Sequence, residues 1–147
     1  DAARGPTPSA GGLQALELYA AVLAPGWLPG GAYHYERGGH ALVQVAPAFD
    51  RARGGALVPA LITISGGALV WLVVGDGARV GAKYGGRGLR FLLLEAGHLM
   101  QSLCLVAADL GLACVPLGGF YERPLADALA LPATDEVLYA GVCGRPA

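Results

Sequence analysis

Residues 83–112 read KYGGRGLRFLLLEAGHLMQSLCLVAADLGL and contain the longest helix-like run in the chain. Most of this run is apolar on every side, which predicts a helix packed inside the protein or its assembly. At about 100° per residue, four polar side chains fall in one narrow sector: Glu95, His98, Ser102 and Asp109. Buried polar groups are normally hydrogen-bonded, so the stripe is either a set of satisfied buried groups or a solvent-facing edge. Gly111 is suited to end the helix, because glycine tolerates the left-handed cap conformation.

The composition predicts one domain, residues 1–147, with a large apolar surface to cover. The chain has 147 residues, of which 54% are hydrophobic and 14% charged, and its mean hydropathy is +0.51. A membrane span needs about 20 apolar residues without charges, whereas the long helix carries Arg90, Glu95 and Asp109. We therefore expect an obligate oligomer and no membrane. The net charge of -1 also gives no basis for nucleic-acid binding.

The cysteines and histidines predict neither a disulfide nor a metal site. Cys104, Cys114 and Cys143 are odd in number and form no CxxC pair. Small buried thiols in the reducing cytoplasm are the expected reading, since no signal peptide is visible. His34 and His40 lie in a predicted hairpin without a third ligand at suitable spacing.

The order of elements predicts an α+β fold with a mostly antiparallel sheet around the long helix. Residues 1–12 form a glycine- and proline-rich loop, and residues 13–24 fit either a helix or a strand. The type of residues 46–67 is left open. A hairpin is expected with its turn at residues 37–39, and a strand buried on both faces is expected at residues 68–74, followed by a turn at residues 75–77. Two further strands are expected at residues 113–117 and 135–142, and a short helix at residues 123–131.

Three short motifs are candidates for chemistry. Lys83 and Tyr84 stand together on a predicted loop ahead of the helix, where they could act as base and acid. The glycines around Gly85 lack the spacing of a phosphate-binding loop or a dinucleotide fingerprint. The PSAGG segment and the turn at Gly118-Gly119 could each bring backbone close to a ligand, although each could equally be a plain linker or turn.

Taken in order, five segments resemble the nitroreductase-like flavoproteins, specifically the branch of SagB-type dehydrogenases and azoline oxidases. They are PSAGGLQALELY (8–19), GAYHYERGGHAL (31–42), the 83–112 segment quoted above, VPLGGFYERPLADALAL (115–131) and DEVLYAGVCGR (135–145). These segments cover most of the chain. The combination of KYG, EAGH and P-GGF is the most specific part of the resemblance.

The resemblance implies an FMN-dependent oxidoreductase that forms a homodimer with flavin sites at the subunit interface. The implied chemistry is hydride transfer at the flavin N5, with azoline rings of a peptide natural product, or related bonds, as substrate. Lys83 and Tyr84 take the position of the family's proton-removing pair. The residues implied in cofactor binding are Ser9 and Gly11 along the ring system, Gly118 and Gly119 near N5, and Arg145 near the phosphate. Other biosynthetic subunits are possible partners.

Two departures from the family pattern keep alternatives open. The family's RRSxR segment, which grips the phosphate, has no counterpart in the sequence, so we expect an N-terminally incomplete family member. Arg4 is a poor substitute for this segment. Gln101-Ser102 replaces the common Gln-Asn pair. The alternatives are a flavin-free scaffolding or substrate-binding subunit and a generic NAD(P)H-dependent nitro or quinone reductase.

Overall fold

The chain folds around one antiparallel sheet with helices on both faces. The structure is a computed structural model and describes residues 5–146. Its strands are β1 (Leu16–Val22), β2 (Gly31–Glu36), β3 (Ala41–Ala46), β4 (Gly67–Asp76), β5 (Ala113–Leu117) and β6 (Asp135–Gly144). Its α-helices are α1 (Arg51–Leu57), α2 (Gly77–Tyr84), α3 (Gly88–Asp109) and α4 (Glu122–Ala128). The predicted α+β class with a mostly antiparallel sheet is confirmed.

The sheet has the strand order β3-β2-β1-β4-β6-β5, and all its neighbours pair antiparallel. The two longest strands, β4 and β6, lie together near its centre. Val70, Leu72, Val73 and Val74 of β4 are fully buried. The continuous apolar run at residues 68–74 therefore correctly predicted a strand covered on both faces.

Two apolar clusters pack on opposite faces of the sheet. One surrounds Phe49, Leu61 and Leu125 and joins α1 and α4 to the strands. The other surrounds Val80, Leu92 and Met100 and joins α2 and α3 to the strands. The side chains of α2 and α3 that concern the candidate site thus lie on a single face.

The predicted hairpin is confirmed as β2 and β3. The Glu36 carboxylate accepts hydrogen bonds from the backbone N–H groups of Gly38 and Gly39, which fixes the turn. These two backbone donors also hold the pKa of Glu36 below its usual range. The predicted strands at residues 113–117 and 135–142 are also found, and the predicted helix at 123–131 is observed as α4.

The structure assigns the two segments whose secondary structure the sequence left open, and it corrects one predicted turn. Residues 13–24 contain a strand, and residues 46–67 contain α1 and a short 3₁₀ helix at Pro59–Ile62. The predicted turn at residues 75–77 is wrong, because β4 continues to Asp76 and α2 begins at Gly77. The Asp76 side chain accepts a hydrogen bond from the Arg79 backbone N–H at 2.9 Å and so caps α2.

The long helix α3 is buried on its inner side only. Leu92, Glu95, Ala96 and Met100 face the sheet, whereas the outer side exposes apolar side chains at Leu89, Leu93, Leu94, Leu105, Val106 and Leu110, each 51% or more exposed. The helical stretch Gly77–Asp109 also meets the length and composition of a membrane span, with a best-window mean hydropathy of 1.6. Core helices of soluble proteins pass the same test, so this signal alone is weak.

A close glycine contact fixes the corner between α2 and α3. Gly88 is buried, and a β-carbon there would lie 2.7 Å from Cγ1 of Val80. Gly85 ends α2 with a φ of 53°, a conformation that glycine adopts readily. The glycines around Gly85 therefore build a tight corner between two helices.

Candidate active site

The turn at residues 9–14 has a left-handed backbone at three positions. Gly11, Gly12 and Gln14 have φ values of 58°, 69° and 50°. Glycine adopts such values freely, but Gln14 does so only where its surroundings hold it. The Ser9 hydroxyl oxygen accepts from the Gln14 N–H at 2.8 Å, and Arg37 and Arg79 both donate to the Gln14 carbonyl, at 3.0 and 2.9 Å. These bonds fix the C-terminal end of the turn.

Lys83 and Tyr84 lie in the last turn of α2, not on a loop as the sequence predicted. Their side chains meet the turn at Gly11, where the Lys83 Nζ lies 3.5 Å from the Gly11 carbonyl oxygen. A β-carbon on Gly11 would lie 2.5 Å from that Nζ and closer still to the Tyr84 hydroxyl oxygen. The structure thus brings the two predicted catalytic residues together with Gly11, a predicted cofactor-binding residue.

The Tyr84 ring rests on α3, because its centroid is 4.7 Å from that of Phe91. One helical turn further on, the Glu95 carboxylate accepts a hydrogen bond from the Ala10 backbone N–H at 2.6 Å. Glu95 is only 5% exposed. The polar stripe expected on α3 is therefore divided: Glu95 is buried and bonded, whereas His98, Ser102 and Asp109 are exposed.

A mostly apolar cavity of about 360 Å³ adjoins the turn on the side of Glu95. Its walls come from the segment before the turn, from β1 and β2, and from α3. The lining residues are Gly5, Pro6, Thr7, Pro8, Ser9, Gln14, Leu16, Leu18, Tyr35, Arg37, Glu95 and Leu99. Such a space, bordered by a few convergent polar groups, is typical of a small-molecule site.

Carboxylates gather where β1, β4 and β6 approach α2. Glu17 pairs with His34 at 3.1 Å and with Arg37 at 3.4 Å. Burial, followed by the charges of Asp76 and Glu17, raises the pKa of Asp135. The two arginines that hold Gln14 are therefore attracted to a negatively charged corner of the sheet.

The remaining predicted site residues lie elsewhere in the protomer. Gly118 and Gly119 follow β5 and are exposed, and a β-carbon on either would meet no heavy atom within 4 Å. Arg145 is exposed and follows β6, with its carbonyl oxygen near Gly66 at the start of β4. The turn, by contrast, joins the far end of β4, because the Asp76 N–H donates to the Ala15 carbonyl. Within residues 5–146, no hydrogen bond connects Gly118, Gly119 or Arg145 to the turn. Arg4 lies outside the described residues.

No metal site is indicated by the part of the chain that the structure describes. No group of three or more His, Cys, Asp or Glu side chains there could hold an ion. His34 pairs with Glu17, and His40 contacts the Tyr35 hydroxyl at 2.7 Å. Both histidines thus have partners within the protein.

The described residues suit a flat, anionic cofactor such as FMN. Gly118 and Gly119 leave open backbone for a ring edge, since no heavy atom occupies the space of a β-carbon at either position. Arg145 is an exposed cation that can pair with negative charge. These residues and the turn occupy three separate places: Gly118 and Gly119 follow the C-terminal end of β5, whereas Arg145 lies beside the start of β5, because β5 and β6 pair antiparallel.

Sequence reasoning missed two features of this site. The first is that α2 carries the Lys83–Tyr84 pair, although an Asp three residues before Arg79 is a capping signal. The second is the bond from Ala10 to Glu95, whose partners are 85 residues apart in the chain. The Glu95 carboxylate was noticed only as part of a stripe.

The α+β fold, with its antiparallel sheet and long helix, is that of the nitroreductases. A model of the nitroreductase family matches residues 1–145. The chain belongs to the nitroreductase family, whose members are generally flavin-dependent oxidoreductases.

Individual relatives agree with this assignment. The chain is 31% identical over 127 residues to MJ1384 of Methanocaldococcus jannaschii, a protein assigned to the nitroreductases. The matched region covers 84% of this chain and 63% of that relative. A chain of the Escherichia coli microcin synthetase McbBCD complex with truncated pro-MccB17 bound is 24% identical with a TM-score of 0.82, covering 97% of this chain and 56% of that one. A protein from Anabaena variabilis, also assigned to the nitroreductases, is 26% identical with a TM-score of 0.84. The match covers 93% of this chain and 28% of that one. The chain thus spans less than two thirds of the length of each of these relatives.

Proposed function

We propose that this protein is an FMN-dependent dehydrogenase or oxidase of the SagB type that oxidises azoline rings, or related bonds, in a peptide natural product. The observation that carries the proposal is the contact of Lys83 and Tyr84 with Gly11. It places a possible base and a possible acid beside a backbone turn suited to a flat ring. The microcin synthetase complex of similar fold, which holds a truncated pro-peptide, supports a peptide as the substrate.

The residues of the site divide the work between binding and proton handling. FMN, when bound, supplies the two-electron redox chemistry. Gly11 and Ser9 would line the ring system with backbone and hydroxyl groups, and Gly118, Gly119 and Arg145 would contact its other parts. Lys83 and Tyr84 would take the proton that the substrate ring loses on oxidation and pass it to solvent, since both side chains reach the protein surface.

A homodimer would unite predicted cofactor residues that lie apart in one protomer. β4 has ten residues and is about 30 Å long, and the turn lies near one of its ends whereas Arg145 lies near the other. The exposed leucines of α3 offer an apolar face for a second protomer. This arrangement supports flavin sites at the subunit interface, each built from both chains.

The experiment combines a spectrum with two variants. The purified protein, with and without added FMN, should show the absorption of bound flavin, and it should oxidise an azoline-containing peptide. Lys83→Ala and Tyr84→Phe should each retain flavin and lose most of the oxidation rate. Arg87→Ala and Tyr121→Phe are matched controls, because both side chains are exposed and neither contacts the turn. Normal oxidation by the Lys83→Ala and Tyr84→Phe variants would refute the assigned roles.

Two other functions have specific support. A flavin-free subunit that binds substrate for a partner is consistent with the fold's occurrence in a multi-subunit synthetase. A general NAD(P)H-dependent nitro or quinone reductase is consistent with the similarity to MJ1384. Absence of flavin binding in excess FMN would favour the first, and rapid nitroaromatic turnover with NAD(P)H would favour the second.

A further inference from the structure

Glu95 is the single charged side chain that is buried within residues 5–146. A buried carboxylate is costly unless hydrogen bonds compensate for its lost hydration. Its hydrogen bond in the structure joins it to the Ala10 N–H, at 2.6 Å, in the turn that touches Lys83 and Tyr84. A charged acceptor makes such a bond both short and strong.

The contacts around Glu95 form a closed ring. Tyr84 packs on Phe91, Phe91 lies one helical turn before Glu95 on α3, and Glu95 binds Ala10. Ala10 precedes Gly11, which returns to Tyr84 and Lys83. Through the hydrogen bond of Glu95, α3 therefore helps to set the separation between the turn and the Lys83–Tyr84 pair, together with the bond from Arg79 of α2 to the Gln14 carbonyl.

The two ends of the turn are held differently. The end at Gln14 is fixed by Ser9, Arg37 and Arg79. Near the other end, Glu95 provides the side-chain bond to Ala10. Without that bond, the N-terminal part of the turn would keep its internal backbone bonds, from Gly12 to Ser9 and from Leu13 to Ala10, and a 3.5 Å contact with Lys83. The glycines at positions 11 and 12 would then make it easier for this part of the turn to move away from α2.

We propose that Glu95 is a positioning residue, which holds Gly11 against Lys83 and Tyr84 and thereby aligns this pair with the ring system of the cofactor. The proposal rests on the proposed function for its catalytic consequence. The anchoring of the turn can be measured without any turnover.

The test uses two substitutions of similar size. Glu95→Leu fills the same space but cannot accept a hydrogen bond, whereas Glu95→Gln keeps an acceptor oxygen. Asp109→Asn is the matched control, because it removes an exposed carboxylate from the same helix. Circular dichroism and thermal unfolding first establish that each variant is folded, and Glu95→Gln serves as the main test should Glu95→Leu not fold.

The first readout is structural. Hydrogen exchange of the Ala10 amide should accelerate by roughly 10- to 100-fold in Glu95→Leu, which is the range expected for losing a bond to a charged acceptor. It should accelerate by about 2- to 5-fold in Glu95→Gln, because a neutral acceptor makes a weaker bond than a charged one, and it should stay unchanged in Asp109→Asn. The nuclear Overhauser effect between the Gly11 α-protons and the Tyr84 ring should weaken in the same order. The proposal would be overturned if the Ala10 amide of Glu95→Leu exchanged as slowly as in the wild type. Should Glu95→Leu not fold, the same result in Glu95→Gln would overturn it.

The second readout is kinetic and uses the flavin-loaded protein. A positioning role predicts that kcat for azoline oxidation falls by roughly 10- to 100-fold in Glu95→Leu, while KM changes about 2-fold or less and Glu95→Gln restores most of the rate. A fast-exchanging Ala10 amide together with an unchanged kcat would refute the positioning role. Normal oxidation by Lys83→Ala would instead refute the proposed function. Whether Glu95 holds the turn in place would then be decided by the hydrogen-exchange data alone.

Discussion

Replacing Gly11 by alanine perturbs the candidate site at the point where the turn meets Lys83 and Tyr84. The new β-carbon would lie 2.5 Å from the Lys83 Nζ and even closer to the Tyr84 hydroxyl oxygen. Ordinary contact begins at 3.4 Å, so the lysine must retreat by about 1 Å. The Lys83 Nζ ends a flexible, exposed side chain and can move at little cost in folding free energy. The Tyr84 hydroxyl moves only with its ring, which packs against Phe91.

Gly12→Ala is the matched control for this change. Gly12 has the same left-handed backbone, with φ of 69° against 58° for Gly11, but a β-carbon there would meet nothing within 4 Å. The left-handed conformation costs alanine about 1–2 kcal/mol. We therefore expect Gly12→Ala to lose about 1–2 kcal/mol in the free energy of unfolding, measured by urea titration, and Gly11→Ala to lose at least as much.

The two variants should differ in activity. A displacement of about 1 Å at a reacting group can lower a rate by about 100-fold, so Gly11→Ala should lose about that factor in azoline oxidation, while Gly12→Ala should stay within about 3-fold of wild type. Equal losses of activity in the two variants would refute the reasoning, because backbone strain alone would then explain both. Flavin content, read from the absorption spectrum, must be matched before the rates are compared.

Three further predictions concern other parts of the molecule. The pKa of Cys114 is raised to about 12 by burial, by the adjacent Cys104 thiol and by Cys143. Iodoacetamide at pH 8 should therefore alkylate Cys114 about 1000-fold more slowly than a thiol of pKa 9.0. Fast labelling of Cys114 in peptide mass spectra would contradict this prediction. The pKa of Asp135 is raised above its usual 3.8, mainly by burial. The native state therefore binds the carboxyl proton of Asp135 more tightly than the unfolded state does, and stability falls as pH rises above about 3.8. Asp135→Asn should be more stable than the wild type in urea at pH 7 but not at pH 3. Leu94→Glu places a charge on the exposed face of α3 and should convert a dimer to monomers in sedimentation velocity, whereas a wild type that is monomeric at micromolar concentration would refute the proposed interface.

The sequence predicted the elements whose pattern is strong and local. The apolar run of β4, the alternation in the β2–β3 hairpin and the glycine after α3 each have one structural explanation. Residues 13–24 were undecided because the alternation of Leu16, Leu18, Ala20 and Val22 fits a strand, while the mostly apolar run LQALELYAAVLA also fits a helix. Helix α2 was missed since GARVGAKY contains two glycines, and it depends on the Asp76 cap and the burial of Val80.

The geometry of the site could be predicted only in part. A family resemblance selected Lys83, Tyr84 and Gly11, which the fold brings together through α2 and the turn. It also selected Gly118, Gly119 and Arg145, which lie apart in one protomer, and their roles remain predictions. The Glu95–Ala10 bond could not be read from local sequence, because its partners meet only after α3 has packed on the sheet.

The corner between α2 and α3 determines which half of the site is able to move. Because Gly88 packs directly against Val80, the two helices cannot slide past each other without a steric clash, and Lys83 and Tyr84 are carried on the end of a braced element. The facing turn contains two adjacent glycines and is held by a few hydrogen bonds. Opening of the site on the microsecond to millisecond scale should therefore appear as relaxation dispersion in the amides of residues 9–14 and not in those of residues 80–91. Substrate entry and exit would then depend on the turn, while Lys83 and Tyr84 keep their position on α2.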